Sequence, residues 1–68
     1  MNMTTKFKIG DIVWTVKDNK AYSFKISYIN ITLSNEVIIT YNSWSDRYFI
    51  RRDENELAWT KEELINLL

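Results

Sequence analysis

From Ile12 to Val16 the chain sets Ile12, Trp14 and Val16 on one side and Val13 and Thr15 on the other, so both faces are largely apolar. That pattern predicts a strand inside a small, strongly curved sheet. Asp18 and Asn19 follow as a turn, because short amide and carboxylate side chains tolerate left-handed backbone better than most residues. In the next run Tyr22, Phe24, Ile26 and Tyr28 alternate with Ser23, Lys25 and Ser27, a period of two with one solvated face. The phase then slips, since Tyr28 and Ile29 are adjacent and Ile29, Ile31 and Leu33 carry the alternation onward. A one-residue slip predicts a bulge or bend near Tyr28 to Asn30, where one long strand passes between two sheets.

Ser34-Asn35 reads as the next turn, and Glu36 to Tyr41 as a β-branched strand. Asn42 to Asp46 reads as a polar break with Trp44 at its centre, Arg47 to Arg52 as a fourth strand, and Leu57 to Trp59 as a short closing fifth. The period changes at Thr60-Lys61-Glu62-Glu63, a capping box in which Thr60 accepts from the Glu63 amide and the Glu63 carboxylate returns the bond. Leu64, Ile65 and Leu68 then share one face at helical spacing, which predicts a C-terminal helix over 61–68 lying across an open end of the sheets.

Composition narrows this picture. At 68 residues the chain is expected to be one domain, with 1–6 polar and flexible. It has no Cys and no His, so neither a disulfide nor a Cys/His zinc site can staple it. Three Trp, four Tyr and three Phe supply the packing instead. Nine basic and nine acidic residues cancel overall, but residues 1–52 carry a basic surplus of four and residues 53–68 an acidic surplus of four. A zero net charge argues against a dominant electrostatic attraction to nucleic acid or to a membrane surface. No run approaches the about 18 to 20 apolar residues of a membrane span, and Met1 to Thr5 hold no apolar leader, so the expected location is the cytoplasm.

Gly10-Asp11-Ile12-Val13, which uses the only glycine, is a Gly-Asp-x-Val opening to the first long strand. In this it resembles the small SH3-like barrels of the Tudor and KOW type. With the aromatic-Thr-x-x-Glu ending, here Trp59-Thr60-Lys61-Glu62-Glu63-Leu64, it also resembles a group of small bacterial and phage proteins with no agreed activity. The resemblance spans Phe7 to Leu68 and implies a mainly β fold, a five-stranded SH3-like barrel with a short C-terminal α-helix. It implies nothing about chemistry. Richness in Asn, Ile and Lys, few Arg and no Pro suit an AT-rich bacterial or phage genome.

Catalysis is not expected. Histidine is absent, Ser and Thr have no base to activate them, and one glycine cannot build a phosphate loop. The acids have structural roles available, Glu62 and Glu63 at a helix start and Asp53, Glu54 and Glu56 in a connection. No cofactor or metal is implied. Trp14, Tyr22, Tyr41 and Trp44 are candidates for an aromatic cage around a cation, or simply core filling. Trp44 fits core filling least, because it is flanked by serines. Trp44, Arg47, Tyr48, Arg51 and Arg52, with Phe49 among them, interleave rings and cations. Such a strip suits an interface with a protein partner, where Trp, Tyr and Arg dominate binding, and alternatively single-stranded nucleic acid. The same charges would also serve a solvated edge strand that resists sheet-to-sheet pairing. The expected function is a protein-interaction module, in a phage or mobile-element setting one that binds a host protein.

Overall fold

A computed structural model of the chain describes residues 5–44 and 49–68. Among these residues five strands form two antiparallel sheets, followed by a short helix. Strands β1 (Ile12–Lys17) and β2 (Lys20–Lys25) make a two-stranded sheet, and β3 (Tyr28–Leu33), β4 (Val37–Trp44) and β5 (Phe49–Asp53) make a three-stranded one in that order. A 3₁₀ turn over Glu54–Glu56 leads to the helix α1 (Lys61–Leu67).

The opening is a tight turn in which the Asp11 amide donates to the Lys8 carbonyl at 3.0 Å and the Asp11 carboxylate accepts from the Lys8 amide at 2.9 Å. Gly10 occupies its third position at φ +95°, with open space where a Cβ would sit, so backbone conformation alone calls for glycine there. The turn then docks on the end of β2: Gly10 N–H donates to the Ile26 carbonyl and Ile26 N–H to the Asp11 carbonyl, both at 2.9 Å. The β1–β2 hairpin closes through Asp18 (φ 54°) and Asn19 (φ 63°), both left-handed as the sequence predicts.

The expected bend lies slightly earlier than the sequence suggests. The long second run is two strands, interrupted at Ile26–Ser27. Ser27 N–H donates to the Asn42 carbonyl at 2.8 Å although Tyr28 is the register partner of Asn42, so two residues face one in the manner of a β-bulge. That displacement turns Tyr28 outward and lets Ile29 pack against the core. The closing strand expected at Leu57–Trp59 is a single bridge, Trp14 with Ala58, whose two bonds measure 2.8 and 2.9 Å. The polar break expected at Asn42 to Asp46 also differs: β4 runs on through Asn42, Ser43 and Trp44, while Ser45 and Asp46 lie outside the described residues.

Of the two candidate faces of β1, Val13 and Thr15 point inward and are buried, with the Thr15 hydroxyl donating to the Glu56 carbonyl at 2.9 Å. They join Phe7, Phe24, Ile26, Tyr41, Ile50 and Leu57 in or beside one core. The Phe7 ring stands edge-on to Tyr41 (centroids 5.3 Å apart) and to Trp59 (4.6 Å). Thr60 caps α1 as expected, accepting from the Glu63 amide at 3.0 Å. The helix buries only Leu64, whereas Ile65, Leu67 and Leu68 are exposed, so the apolar stripe read from the sequence is only partly used.

One polar node ties the N-terminal segment to this core. The Tyr41 hydroxyl donates to the Glu54 carboxylate and accepts from the Phe7 amide at 3.4 Å, and the same carboxylate accepts from the Lys6 amide at 3.0 Å. Thr5 adds a bond from its hydroxyl to the Phe7 carbonyl. Of the segment 1–6 expected to be flexible, Thr5 and Lys6 are thus bonded, and 1–4 lie outside the described residues. Among the described residues no buried side-chain nitrogen or oxygen lacks a partner.

Burial, and then the bond to Glu54, push the Tyr41 phenol up to about 12. The Tyr41 bond, and then the Lys6 amide, hold the Glu54 carboxyl below its ordinary value. The depressed Glu54 value stabilises the fold fully above pH 4.5, its unperturbed value, and that contribution is lost as pH falls on through the folded value. The raised Tyr41 value stabilises fully below pH 10.0 and is lost as pH rises toward about 12. Urea unfolding across pH should therefore show both limbs in the wild type and a flatter acid limb in Glu54→Gln. At the hairpin, Asn19→Gly should raise stability by about 0.5 to 1 kcal/mol, and Gly10→Ala should lower it by about 1 to 2 kcal/mol, read from thermal midpoints.

Candidate functional site

Register brings the exposed aromatics together. Trp44 pairs with Phe49, Asn42 with Arg51 and Tyr28 with Asn42, so side chains from three strands share the outward face of the β3–β4–β5 sheet. The Trp44 and Phe49 rings meet edge-to-face at 5.7 Å, and Tyr28 lies tilted over Phe49 at 6.3 Å. The Arg51 guanidinium carbon sits 5.8 Å from the Phe49 centroid, within cation–π range. Trp44 is 70% exposed, the most of any aromatic among the described residues, and its amide is held by a bond to the Ser27 hydroxyl at 3.3 Å.

Beneath this face lies Asn42, fully buried. Its amide nitrogen donates to the carbonyls of Tyr28 (3.4 Å) and Thr40 (3.3 Å), and its side-chain oxygen accepts from Arg51 Nε at 3.2 Å. A buried amide in a β-strand costs free energy unless its groups are paired, and here the pairing fixes the guanidinium beside the Phe49 ring. Nothing in the sequence distinguishes Asn42 from a loop asparagine; its role follows from the cross-strand register. Tyr28 was hidden for the same reason, since its expected place was the inward stripe of the second run.

The strip predicted from sequence divides. Trp44, Phe49 and Arg51 stand together, but Arg52 lies on the opposite face of β5, half-buried. Its guanidinium donates to the Val16 carbonyl at 3.4 Å and the Arg51 carbonyl at 2.8 Å, which ties β5 to the end of β1. Arg47 and Tyr48 lie outside the described residues. The candidate cage does not assemble. Tyr41 is wholly buried in the core, and Tyr22 packs beside that core with the Lys17 ammonium 4.9 Å from its ring. Trp14 belongs to β1, where its backbone pairs with Ala58, and Trp44 stands on the other sheet.

Among the described residues, no group of three or more acidic side chains is placed to hold a metal ion, and no helix is long and apolar enough to cross a membrane. What the face offers is three ring surfaces with one fixed cation at their border. It can bind by stacking and apolar contact, and it can pair with a carboxylate or a phosphate.

Compared with protein-family models, with curated proteins and with solved structures, the chain matches none of them.

Asn42→Leu should cost about 1 to 3 kcal/mol in denaturant unfolding, because it removes the acceptor of Arg51 Nε and a second donor from each of two backbone carbonyls. Trp44→Ala, at an exposed position, should change stability by no more than about 0.5 kcal/mol. A reversal of that order would mean that the ring cluster, and not the amide under it, holds the face together.

Proposed function

We propose that this protein is a non-enzymatic interaction module on an SH3-like barrel, and that it engages a protein partner through the face carrying Trp44, Phe49 and Arg51. Two features favour the barrel: the run from β2 into β3, which passes from one sheet to the other across Ile26–Ser27, and the Trp14–Ala58 bridge, which adds a residue from beyond β5 to the free side of β1. The observation that carries the interaction reading is the Tyr28–Phe49–Trp44 ring cluster, exposed and bordered by an arginine whose side chain is already fixed. Rigid rings and a pre-positioned guanidinium lose little conformational entropy on binding, which is why such residues dominate interface energies. In this reading Arg52 supports the contact from behind. The setting is the cytoplasm, and in a phage or mobile-element accessory protein the partner is a host protein.

Single-stranded nucleic acid is the second reading, favoured by the cation–π pairing of Arg51 with Phe49 beside two more rings suited to base stacking. Affinity capture from host lysate with wild type, Trp44→Ala and Arg51→Ala tests the first. A specific protein should be retained by wild type and weakened by about 30-fold or more in Trp44→Ala, the loss typical of an interface hot spot. Equal recovery by all three would remove this face from the interface. Salt-dependent retention on single-stranded DNA or RNA, abolished in Arg51→Ala, would instead favour the second.

A further inference from the structure

The strand edges are unequally protected. Ser27 donates to the Asn42 carbonyl, so that carbonyl points toward β3; peptide directions alternate along a strand, which turns Thr40 and Ile38 toward β3 as well. Tyr41 and Ser43 therefore bond to β5 through Arg52 and Ile50, and the outer edge of β5 consists of Phe49, Arg51 and Asp53. That edge is partly capped by its own chain, since the Asp53 amide donates to the Glu56 carboxylate at 3.1 Å and the Arg51 carbonyl accepts from Arg52. The free edge of β2 is bracketed by Lys20 and Lys25, the kind of charge that discourages pairing. On the free side of β1, Trp14 pairs with Ala58.

β3 has no such device. Its outer edge presents the backbone groups of Ile29, Ile31 and Leu33, which make no hydrogen bond among the described residues. The strand is Tyr-Ile-Asn-Ile-Thr-Leu, with no charge, glycine or proline, and no charged residue lies between Lys25 and Glu36. Leu33 is 67% exposed and Ile31 40%, on the same side of the sheet as Val37, itself 53% exposed.

We propose that β3 is a homodimerisation edge, on which a second copy of this chain adds its own β3 antiparallel about a two-fold axis through Ile31. Ile29, Ile31 and Leu33 are the residues whose backbone faces outward, and an axis at Ile31 sets each against one of the same three, Ile31 on Ile31 and Ile29 on Leu33. Every outward N–H and C=O in the paired region then meets its complement. The side chains agree with this register: apolar residues meet apolar ones on the core side, and Asn30 meets Thr32 on the other. Charge selects the same arrangement. Neither Lys25, which precedes β3, nor Glu36, which follows it, lies in the strand, but an antiparallel pair brings the end near Lys25 toward the end near Glu36 of its mate, whereas a parallel pair would bring like charges toward each other. The product is a continuous six-stranded sheet carrying two copies of the Tyr28–Phe49–Trp44 face.

Sedimentation equilibrium from about 10 μM to about 1 mM, a range suited to a small interface, tests this with two paired variants on the exposed side of β3. Asn30→Lys with Thr32→Lys places like charges opposite each other twice across the axis, and should weaken dimerisation at least about tenfold. Asn30→Lys with Thr32→Glu places opposite charges there and should restore it. In wild type, hydrogen exchange at the amides of Ile29, Ile31 and Leu33 should slow as concentration rises. A wild type monomeric throughout the range, or a dimer indifferent to both variants, overturns the proposal. Edge amides protected equally at every concentration also overturn it, even if either variant fails to fold.

Discussion

The Tyr41 hydroxyl is the point on which the arrangement turns. It is wholly buried at the centre of β4, where a polar atom without a partner would be costly, and its donor and acceptor roles are both filled by groups from other parts of the chain. Glu54 answers it from the turn after β5, and Phe7 from the segment before β1. Because the same carboxylate also holds the Lys6 amide, one node joins the two ends of the sheet region, and the Phe7 ring is delivered into the core against Tyr41. In a chain of this size, with no disulfide available, such a cross-link between distant segments replaces a covalent staple.

A second polar group works the other surface of the same strand. Tyr41 and Asn42 are neighbours on opposite faces of β4, and both are fully buried. One closes the core; the other lies under the aromatic face and fixes Arg51. β4 is central to its sheet for this reason as well as by strand order, since of these three strands it is the one hydrogen-bonded on both edges, and at this point it is covered on both faces. The exposed ring face and the buried core are therefore coupled through adjacent residues of a single strand.

Much of the secondary structure could be read from residue order. The alternation in β1 and β2, the Asp18-Asn19 turn and the Thr60 cap depend on neighbours within a few positions, where side-chain size and local hydrogen bonding decide the backbone. The site was half readable. Trp44, Phe49 and Arg51 stand out by type, but alternation along β5 separates Arg52 from Arg51, which residue type alone does not show. Tyr28 and Asn42 gave no signal, because their roles depend on which residues lie across from them.

The sequence by itself determined a β-rich chain with a helix at its end, a glycine where the backbone must turn left-handed, and a supply of rings large enough to build a core without cysteine. Those follow from local sterics and from the area that must leave water. Only the tertiary structure decided where the long second run breaks, which tyrosine is core and which is surface, and which edge of the sheets is left bare. Each of these depends on strand register and on contacts between residues far apart in the chain. A shift of one residue in that pairing would exchange every inward side chain for its outward neighbour.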